Sequence, residues 1–416
     1  MKILYLHPRS WTGEYVILQA LRDLGHEVCV LEERRDLERS RARTPDYHES
    51  GDGIGTLWYN PRRGWEKLLT LPFDRFFKRA FDGRNLAHRM WVVRAAVRRF
   101  RPGVVVCSDG FSYAIPAMFL KRLGLLKERL VVSYIGGDIL DCPQADIGKR
   151  RTILTDWLIR RSLKGADVLR PVSPLLKRRL RADGAEEARI SVCPSHLVAA
   201  RASLQQVYDR RARVRAAIRS RYGMPPDAPV IATLSSNHKG KGLQVLAAAW
   251  PEIRRGLPSC RWLLCGPRSP WVDEAVLPLL GAAATDGSVL LTGPLSGFEV
   301  FEHLAAADAH VNPSLCEGLN MVTVEAAAVG VPTITSDGAG IADWVGRYGA
   351  GRVVPVSDAP ALAAAVVDFF QASGRVTSPP DRCRAMAEEF YPERIAAALV
   401  ALFRGDTGPA PGPDSP

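Results

Sequence analysis

Apolar positions along the chain switch between two periods. Ile3 to Leu6 is a short apolar run, Tyr15 to Leu24 places apolar residues at helical spacing and stops at Gly25, and Glu27 to Leu31 resumes an extended run. Strand, loop, helix and strand in that order predict a βαβ unit, with Gly13 in the loop over Arg9 to Glu14. The alternation continues with a buried strand at Val104 to Cys107, a helix at Tyr113 to Leu123 and a strand at Leu130 to Tyr134. Parallel strands joined by crossover helices imply a doubly wound sheet, whose ligands sit at the carboxyl ends of the strands.

A second α/β pattern begins near Pro229. Strands are predicted at Val230 to Leu234, Trp262 to Cys265, Val289 to Leu291 and Ala309 to Val311, with helices at Leu243 to Trp250 and Phe298 to Ala306. Further helices follow at Pro360 to Phe370 and Asp381 to Phe403, and the Gly/Pro-rich run from 405 predicts a disordered tail. A chain of 416 residues that is 47% hydrophobic supports more than one core. The predicted divisions are a first domain over 1–192, a basic, irregular linker over 193–228, a second domain over 229–385, a last helix over 386–404 and a tail over 405–416. The fold class is α/β.

The most informative stretch is PSLCEGLNMVTVEAAAVGVP, residues 313–332. Met321, Val322, Val324 and Ala328 suit a buried helix beginning near Leu319 and ended at Gly330. The first N–H groups of such a helix lack intrahelical partners and carry the positive end of its dipole, so a phosphate can sit there. Glu317 precedes that terminus and Glu325 lies about two turns inside it. One carboxylate can face a sugar beside the phosphate, and the other can accept from a ribose diol.

This segment resembles the Glu-x7-Glu signature of the retaining glycosyltransferases of family 4, roughly PSxxEGFGLxxLEAxAxGxPV. Glu317, Gly318, Glu325, Ala326, Gly330 and Pro332 match, while Leu319 and Asn320 replace Phe and Gly. The resemblance implies the GT-B fold, two Rossmann-like doubly wound domains facing each other across a cleft, with the last helix crossing back to the first domain. It also implies a nucleotide-diphosphate-sugar donor, transfer with retention, and donor contacts from Gly318, Leu319, Asn320, Met321 and Glu325, with Glu317 catalytic.

The resemblance extends to other loops. Lys241-Gly242-Leu243 matches the lysine half of the family's phosphate segment, and Ser236 stands where an arginine is usual, leaving Lys241 as diphosphate ligand with Lys239 and His238 as further donors. The other reading of this Lys-Gly-Lys run is a solvated turn. Gly266 and Arg268 end a strand where the family has a turn near the nucleotide base, and Gly13 lies in its first glycine loop. Trp11 beside it is read either as a stacking surface for an acceptor sugar or as a residue packed under the loop. In SYIGGD, Ile135 replaces a usual histidine, which leaves Asp138 as the acceptor-side carboxylate and as a cap for a helix from Ile139.

Charge adds one more expectation. The formal net charge is +12, and residues 62–101 hold 12 Lys/Arg against 3 Asp/Glu while residues 149–181 hold 11 against 2. Trp65, Leu68, Leu69, Phe73, Phe76, Phe77 and Trp91 are interleaved with the first of these runs, as at an anionic membrane surface. No nucleic-acid motif accompanies the charge, so no nucleic-acid partner is expected. No apolar run approaches the ~18 residues of a membrane span, and Lys2, Pro8 and Arg9 interrupt the place of a signal peptide, which predicts a cytoplasmic protein peripheral on the inner membrane face. The eight cysteines form no Cys-x-x-Cys pair and read as reduced core residues.

The function expected is transfer of a sugar to an acceptor hydroxyl with retention, onto a glycan, lipid-linked or small-molecule acceptor. Glu317, Lys241 and Asp138 are the catalytic candidates. No cofactor or metal is expected, because cation and helix dipole meet the diphosphate. A sugar-nucleotide epimerase and a non-catalytic sugar-nucleotide-binding protein are the other classes compatible with this pattern.

Overall fold

The computed structural model describes residues 1–7, 12–33, 46–49, 53–59, 86–150, 152–371 and 380–406. The aromatic and apolar residues expected at a membrane between positions 65 and 77, Trp11, and the tail beyond 406 lie outside the described residues. The chain forms two compact units: Met1–Asp141 with Gly148–Val198 and the segment from Pro392, and Ala199–Tyr391 with Cys142–Ile147.

The first unit is built on a seven-stranded sheet: β1 (Lys2–His7), β2 (Glu27–Glu33), β3 (Asp46–Glu49), β4 (Gly55–Tyr59), β5 (Val104–Cys107), β6 (Arg129–Tyr134) and β7 (Val168–Pro171), in spatial order β3-β4-β2-β1-β5-β6-β7. Among the described strands only β3 runs antiparallel, against β4. Every residue of β5 is buried, as both faces of a parallel sheet require. Helices α1 (Thr12–Asp23), α2 (Leu86–Phe100), α3 (Ala114–Arg122), α4 (Ile153–Ser162) and α5 (Pro174–Ala182) accompany these strands. On one face, Ile3, Tyr5, Val28, Val30, Val104 and Val106 meet Ile17, Leu18 and Leu21 of α1, and the cluster continues into Ile395, Leu399, Val400 and Phe403. Those last residues belong to the helix Pro392–Arg404, so a segment distant in sequence completes this core. Full burial of each such side chain is worth about 1.5 to 3 kcal/mol.

The second unit holds an all-parallel six-stranded sheet: β8 (Val230–Leu234), β9 (Arg261–Cys265), β10 (Val289–Gly293), β11 (Ala309–Asn312), β12 (Thr333–Ser336) and β13 (Gly351–Val354), in order β10-β9-β8-β11-β12-β13. Ile231, Trp262, Leu264, Val311 and Ile334 pack against the helices Leu243–Gly256 and Ala359–Gln371 through Leu246, Trp250, Ile253, Leu362, Val366 and Phe369. Buried indoles need a partner for their N–H. Trp262 Nε1 donates to Thr233 Oγ1 at 2.8 Å and Trp250 Nε1 to Ser288 Oγ at 3.3 Å.

The stretch expected as an irregular linker contains two helices, α6 (Arg201–Asp209) and α7 (Arg211–Arg221), and they belong to the second unit, ahead of α8 (Leu243–Gly256) and α9 (Phe298–Ala306). Their arginines act inside the fold. Arg219 is buried and donates to the carbonyls of Ala306, Pro226 and Ala228 at 3.2, 2.7 and 2.8 Å, while pairing with Asp308 at 2.9 Å. Arg211 donates to Gly330 O at 2.9 Å. Ala306 ends the helix Phe298–Ala306, and a cation beside the unpaired carbonyls of a helix end satisfies both charge and hydrogen bonding. The run read as Asp381 to Phe403 is two helices, Pro380–Glu388 and Pro392–Arg404, because Pro392 cannot continue a helix but opens one well.

Candidate active site

Three loops leave the carboxyl ends of β8, β11 and β12 and are stitched together by their backbones. Leu315 N donates to Gly240 O at 2.9 Å, Glu317 N to Gly338 O at 3.0 Å, and Gly340 N to Glu317 O at 3.0 Å. Ser336 Oγ donates to Ser314 O. In the first loop, Lys239–Lys241 forms a 3-10 turn ended by Gly242 at φ +67°, where a Cβ would collide with the Pro313 carbonyl. Gly266 at φ +137° is equally confined, against the Ser235 carbonyl. Glycine at both positions is therefore demanded by close backbone approach.

At the join, Lys241 Nζ pairs with Glu317 Oε1. The other carboxylate oxygen, Oε2, accepts from Asn320 Nδ2 at 2.8 Å and lies 2.7 Å from Ser314 Oγ. Ser314 Oγ can donate its single hydrogen there or to Asn312 Oδ1 at 2.8 Å. Burial alone would raise the Glu317 pKa, but the Lys241 ammonium and the hydrogen bonds from Asn320, Lys241 and Ser314 outweigh it and hold the group below its ordinary value. Glu317 is thus an oriented, ionised carboxylate with a lysine at one oxygen.

Asn320 organises this corner. Its backbone holds φ 94° and ψ 90°, a region costly for any side chain. Its Oδ1 accepts from Thr323 N at 2.8 Å, capping the helix α10 (Met321–Ala328), while Nδ2 reaches Glu317 and, at 3.1 Å, Asn312 Oδ1. The helix consequently starts at Met321, two residues later than the sequence predicts, because Asn320 is the cap and Leu319 precedes it, buried. Asn320 was expected among the donor contacts as one of the residues at the helix start, and its side chain is used within the protein.

Glu325 lies on α10, half-buried, and its carboxylate has no hydrogen-bond or ion-pair partner among the described residues. Loss of surrounding water pushes its pKa up to about 7. Gly318 is buried beside Glu317. Ser236 and Lys239 are exposed. His238 Nδ1 accepts from Gly240 N at 3.2 Å, so the ring carries its proton on Nε2, and burial together with Lys241 favours this neutral form. Arg268 is exposed and pairs with Asp273 at 2.7 Å. Sequence reasoning did not single out Asn312, or Ser314 as a contact of Glu317; the signal present was Asn320 standing where the resembling family has glycine.

Gly13 and Asp138 belong to the first unit. Gly13 is not in a loop: α1 already begins at Thr12, and the Gly13 carbonyl lies 2.9 Å from His196 Nε2. Asp138 caps no helix from Ile139, because the chain makes only a turn there. Its buried carboxylate accepts from Gly110 N at 2.7 Å, Ile135 N at 3.1 Å and Gly136 N at 2.8 Å, tying the ends of β5 and β6 together. Burial raises its pKa to about 6 against the lowering effect of those amides.

Two outcomes follow from this geometry. Glu325 titrates from an ordinary 4.5 to about 7 on folding, so folding favours its protonated form and its contribution to stability, complete below pH 4.5, is lost as pH rises through about 7. Glu325→Gln should therefore be more stable than the parent by about 1 to 2 kcal/mol above neutral pH and equal to it in acid, read from denaturation midpoints across pH. A pH-independent difference would place the carboxylate in water. For Asn320→Gly, glycine relieves the backbone and costs only a few tenths of a kcal/mol as a cap, so the melting temperature should hardly move. Turnover should fall about tenfold with a smaller change in donor KM, because the Glu317 carboxylate loses its orienting amide; unchanged kcat would reduce Asn320 to a cap.

Comparisons with known proteins agree with this architecture. Residues 228–372 match the family model "Glycosyl transferases group 1", and residues 15–196 match "Glycosyl transferase 4-like domain". WcaL of Salmonella typhimurium, a glycosyltransferase assigned to colanic acid biosynthesis, is 25% identical over 410 residues, covering 93% of this chain and 94% of WcaL. A GDP-mannose-dependent alpha-(1-6)-phosphatidylinositol monomannoside mannosyltransferase of Mycolicibacterium smegmatis is 32% identical over 164 residues, 37% of this chain and 42% of that protein. Sucrose-phosphate synthase from Thermosynechococcus elongatus superposes with a TM-score of 0.72 at 19% identity, over 97% of this chain and 98% of its own. With two doubly wound sheets, a lysine and a glutamate joined at the strand ends, and both family models matched in order, the chain belongs to the family-4 glycosyltransferases of GT-B fold.

Proposed function

We propose that this enzyme transfers a sugar from a nucleotide-diphosphate donor to a hydroxyl of a cell-envelope glycan or lipid-linked acceptor, with retention of anomeric configuration. The observation that carries the reading is the Lys241–Glu317 pair beside the first turn of α10. Lys241 and the N–H groups of that turn meet the diphosphate, and Glu325, which has no other partner among the described residues, accepts from the ribose diol. Glu317 is ionised and cannot serve as a general acid; its role is to face the donor sugar and hold Lys241 in place. As the bond from anomeric carbon to phosphate oxygen breaks, the acceptor oxygen bonds to that carbon on the same face. The acceptor proton passes to the leaving phosphate. Cation and helix dipole supply the charge that a divalent ion would otherwise provide. His238 Nε2–H and Lys239 are the donors placed near the missing arginine.

The acceptor class is argued from the relatives, whose names concern colanic acid and phosphatidylinositol monomannoside, and from the positive charge of the first unit. Among the described residues no helix is long and apolar enough to cross a membrane. Contact with a bilayer would then be peripheral, at its inner face, through the basic segments. Part of that charge is internal: Arg89 pairs with Glu33, Arg150 with Asp183, and Arg170 donates to Cys193 O.

The direct test is a panel of nucleotide-diphosphate sugars screened by thermal shift and then by donor turnover. A bound donor at a hundred times its Kd should add about 2.7 kcal/mol of stability. The product formed from that donor should keep its anomeric configuration by NMR. Inversion would overturn the retaining mechanism, and tight binding without turnover would leave a binding protein. Lys241→Ala should lower kcat more than it weakens donor binding, because negative charge grows on the diphosphate in the transition state. Should Lys239→Ala prove the more damaging change, the diphosphate ligand is Lys239.

A further inference from the structure

Helix α4 turns the wrong side of itself to solvent. Thr155, Leu158, Ile159 and Ser162 are buried, yet Ile153, Leu154 and Trp157 on the outer side are 92%, 41% and 53% exposed. Spacings of three, four and seven place Ile153, Trp157, Arg160 and Arg161 along one ridge, apolar at its start and cationic at its end, and the exposed Lys164 follows in the 3-10 turn Leu163–Gly165. The ridge is held rigidly. Thr152 Oγ1 caps the helix by accepting from Thr155 N at 3.1 Å, and Arg150 pairs with both Asp156 and Asp183. Asp183, the cap at the end of α5, also pairs with Arg160 of α4 at 3.2 Å, which fixes the two helices to each other.

Cations outnumber acids around the ridge, and the acids are paired: Arg189, which donates to Lys164 O at 3.2 Å, holds the exposed Glu186 at 3.0 Å. Asp156, the only acid on α4, is half-buried and already paired with Arg150 and, at 2.7 Å, with Arg160. On α5, Arg178 and Arg181 are exposed, and the nearby Glu187 is taken by Lys177 at 2.7 Å and Arg181 at 3.0 Å. We propose that this face of α4 docks on an anionic bilayer, with Ile153, Leu154 and Trp157 entering the headgroup boundary and Arg160, Arg161 and Lys164 lying among the headgroups. Hydrocarbon bordered by a layer of negative charge is the surface complementary to an apolar ridge that becomes cationic along its length. An indole at the boundary is the side chain most at home there. The inference rests on the reading that the enzyme works at a membrane, and it adds which face makes contact.

The test uses full-length protein sedimented with phosphatidylcholine vesicles, with and without phosphatidylglycerol, at low and high salt. Wild type should bind the anionic vesicles, with a fraction of that binding surviving high salt because it is apolar. The double variant Ile153→Ser/Trp157→Ser should lose about tenfold in affinity and all of the salt-resistant fraction. Arg98→Glu/Arg99→Glu, on α2, should weaken only the salt-sensitive part. Donor turnover without vesicles should be unchanged in both variants, which separates failure of docking from failure of the transferase reading. If the α4 variant binds as wild type while the α2 variant does not, the basic surface docks and the α4 ridge does not. Absence of wild-type binding to any vesicle overturns the proposal outright, as does a dimer in solution that Ile153→Ser/Trp157→Ser dissociates.

Discussion

The pairing of Lys241 with Glu317, two residues 76 positions apart, is the contact on which the second unit's functional end depends. Each partner sits in a loop with little regular structure, and each loop follows a different strand of one sheet. A buried carboxylate without compensation would take up a proton or push its loop outward. The ammonium, the Asn320 amide and the Ser314 hydroxyl prevent both, and the amides exchanged with residues 338–340 hold the same carboxylate's backbone. The electrostatic and the mechanical arrangement are therefore one structure. Removing any part leaves a charged group with its desolvation uncompensated.

Contrast with Glu325 explains why two glutamates eight positions apart differ. Glu317 has three donors and stays ionised, whereas Glu325 has none among the described residues and is drawn toward its neutral form. An empty hydrogen-bonding capacity at a half-buried position is destabilising to the free protein. It is also what a hydroxyl-bearing ligand would relieve, so the instability and the affinity share a cause.

Much of the fold was legible because the central strands of both sheets are parallel and buried on both faces, which writes them as unbroken apolar runs. Val104–Cys107, Val230–Leu234 and the helix Phe298–Ala306 have the bounds that their patterns predict. Residues 201–221 were not legible, since α7 carries few apolar positions and is held through arginine contacts to carbonyls far away in sequence. The start of α1 was misplaced because Thr12 and Gly13 lie ahead of the first apolar position of its pattern. At the site, the two glutamates and the lysine could be named from their motifs. Their pairing could not, nor could the conformation of Asn320, because each depends on how loops from separate strands meet. The same arginine contacts mean that the formal charge overstates the field at the surface.

The helix Pro392–Arg404 closes the core of the first unit, with all of residues 199–391 coming between it and the strands it covers. During synthesis, the face formed by Ile3, Tyr5, Val28 and Val104 must wait for that helix. At about 5 to 20 residues per second the interval is about 10 to 40 s. By the end of that time the second unit, contiguous in sequence apart from Cys142–Ile147, has everything needed for its own core, while the unit made first has an apolar sheet face still awaiting its last helix. The order of completion runs against the order of translation, and the nascent first unit is the part of this chain with most to gain from a chaperone.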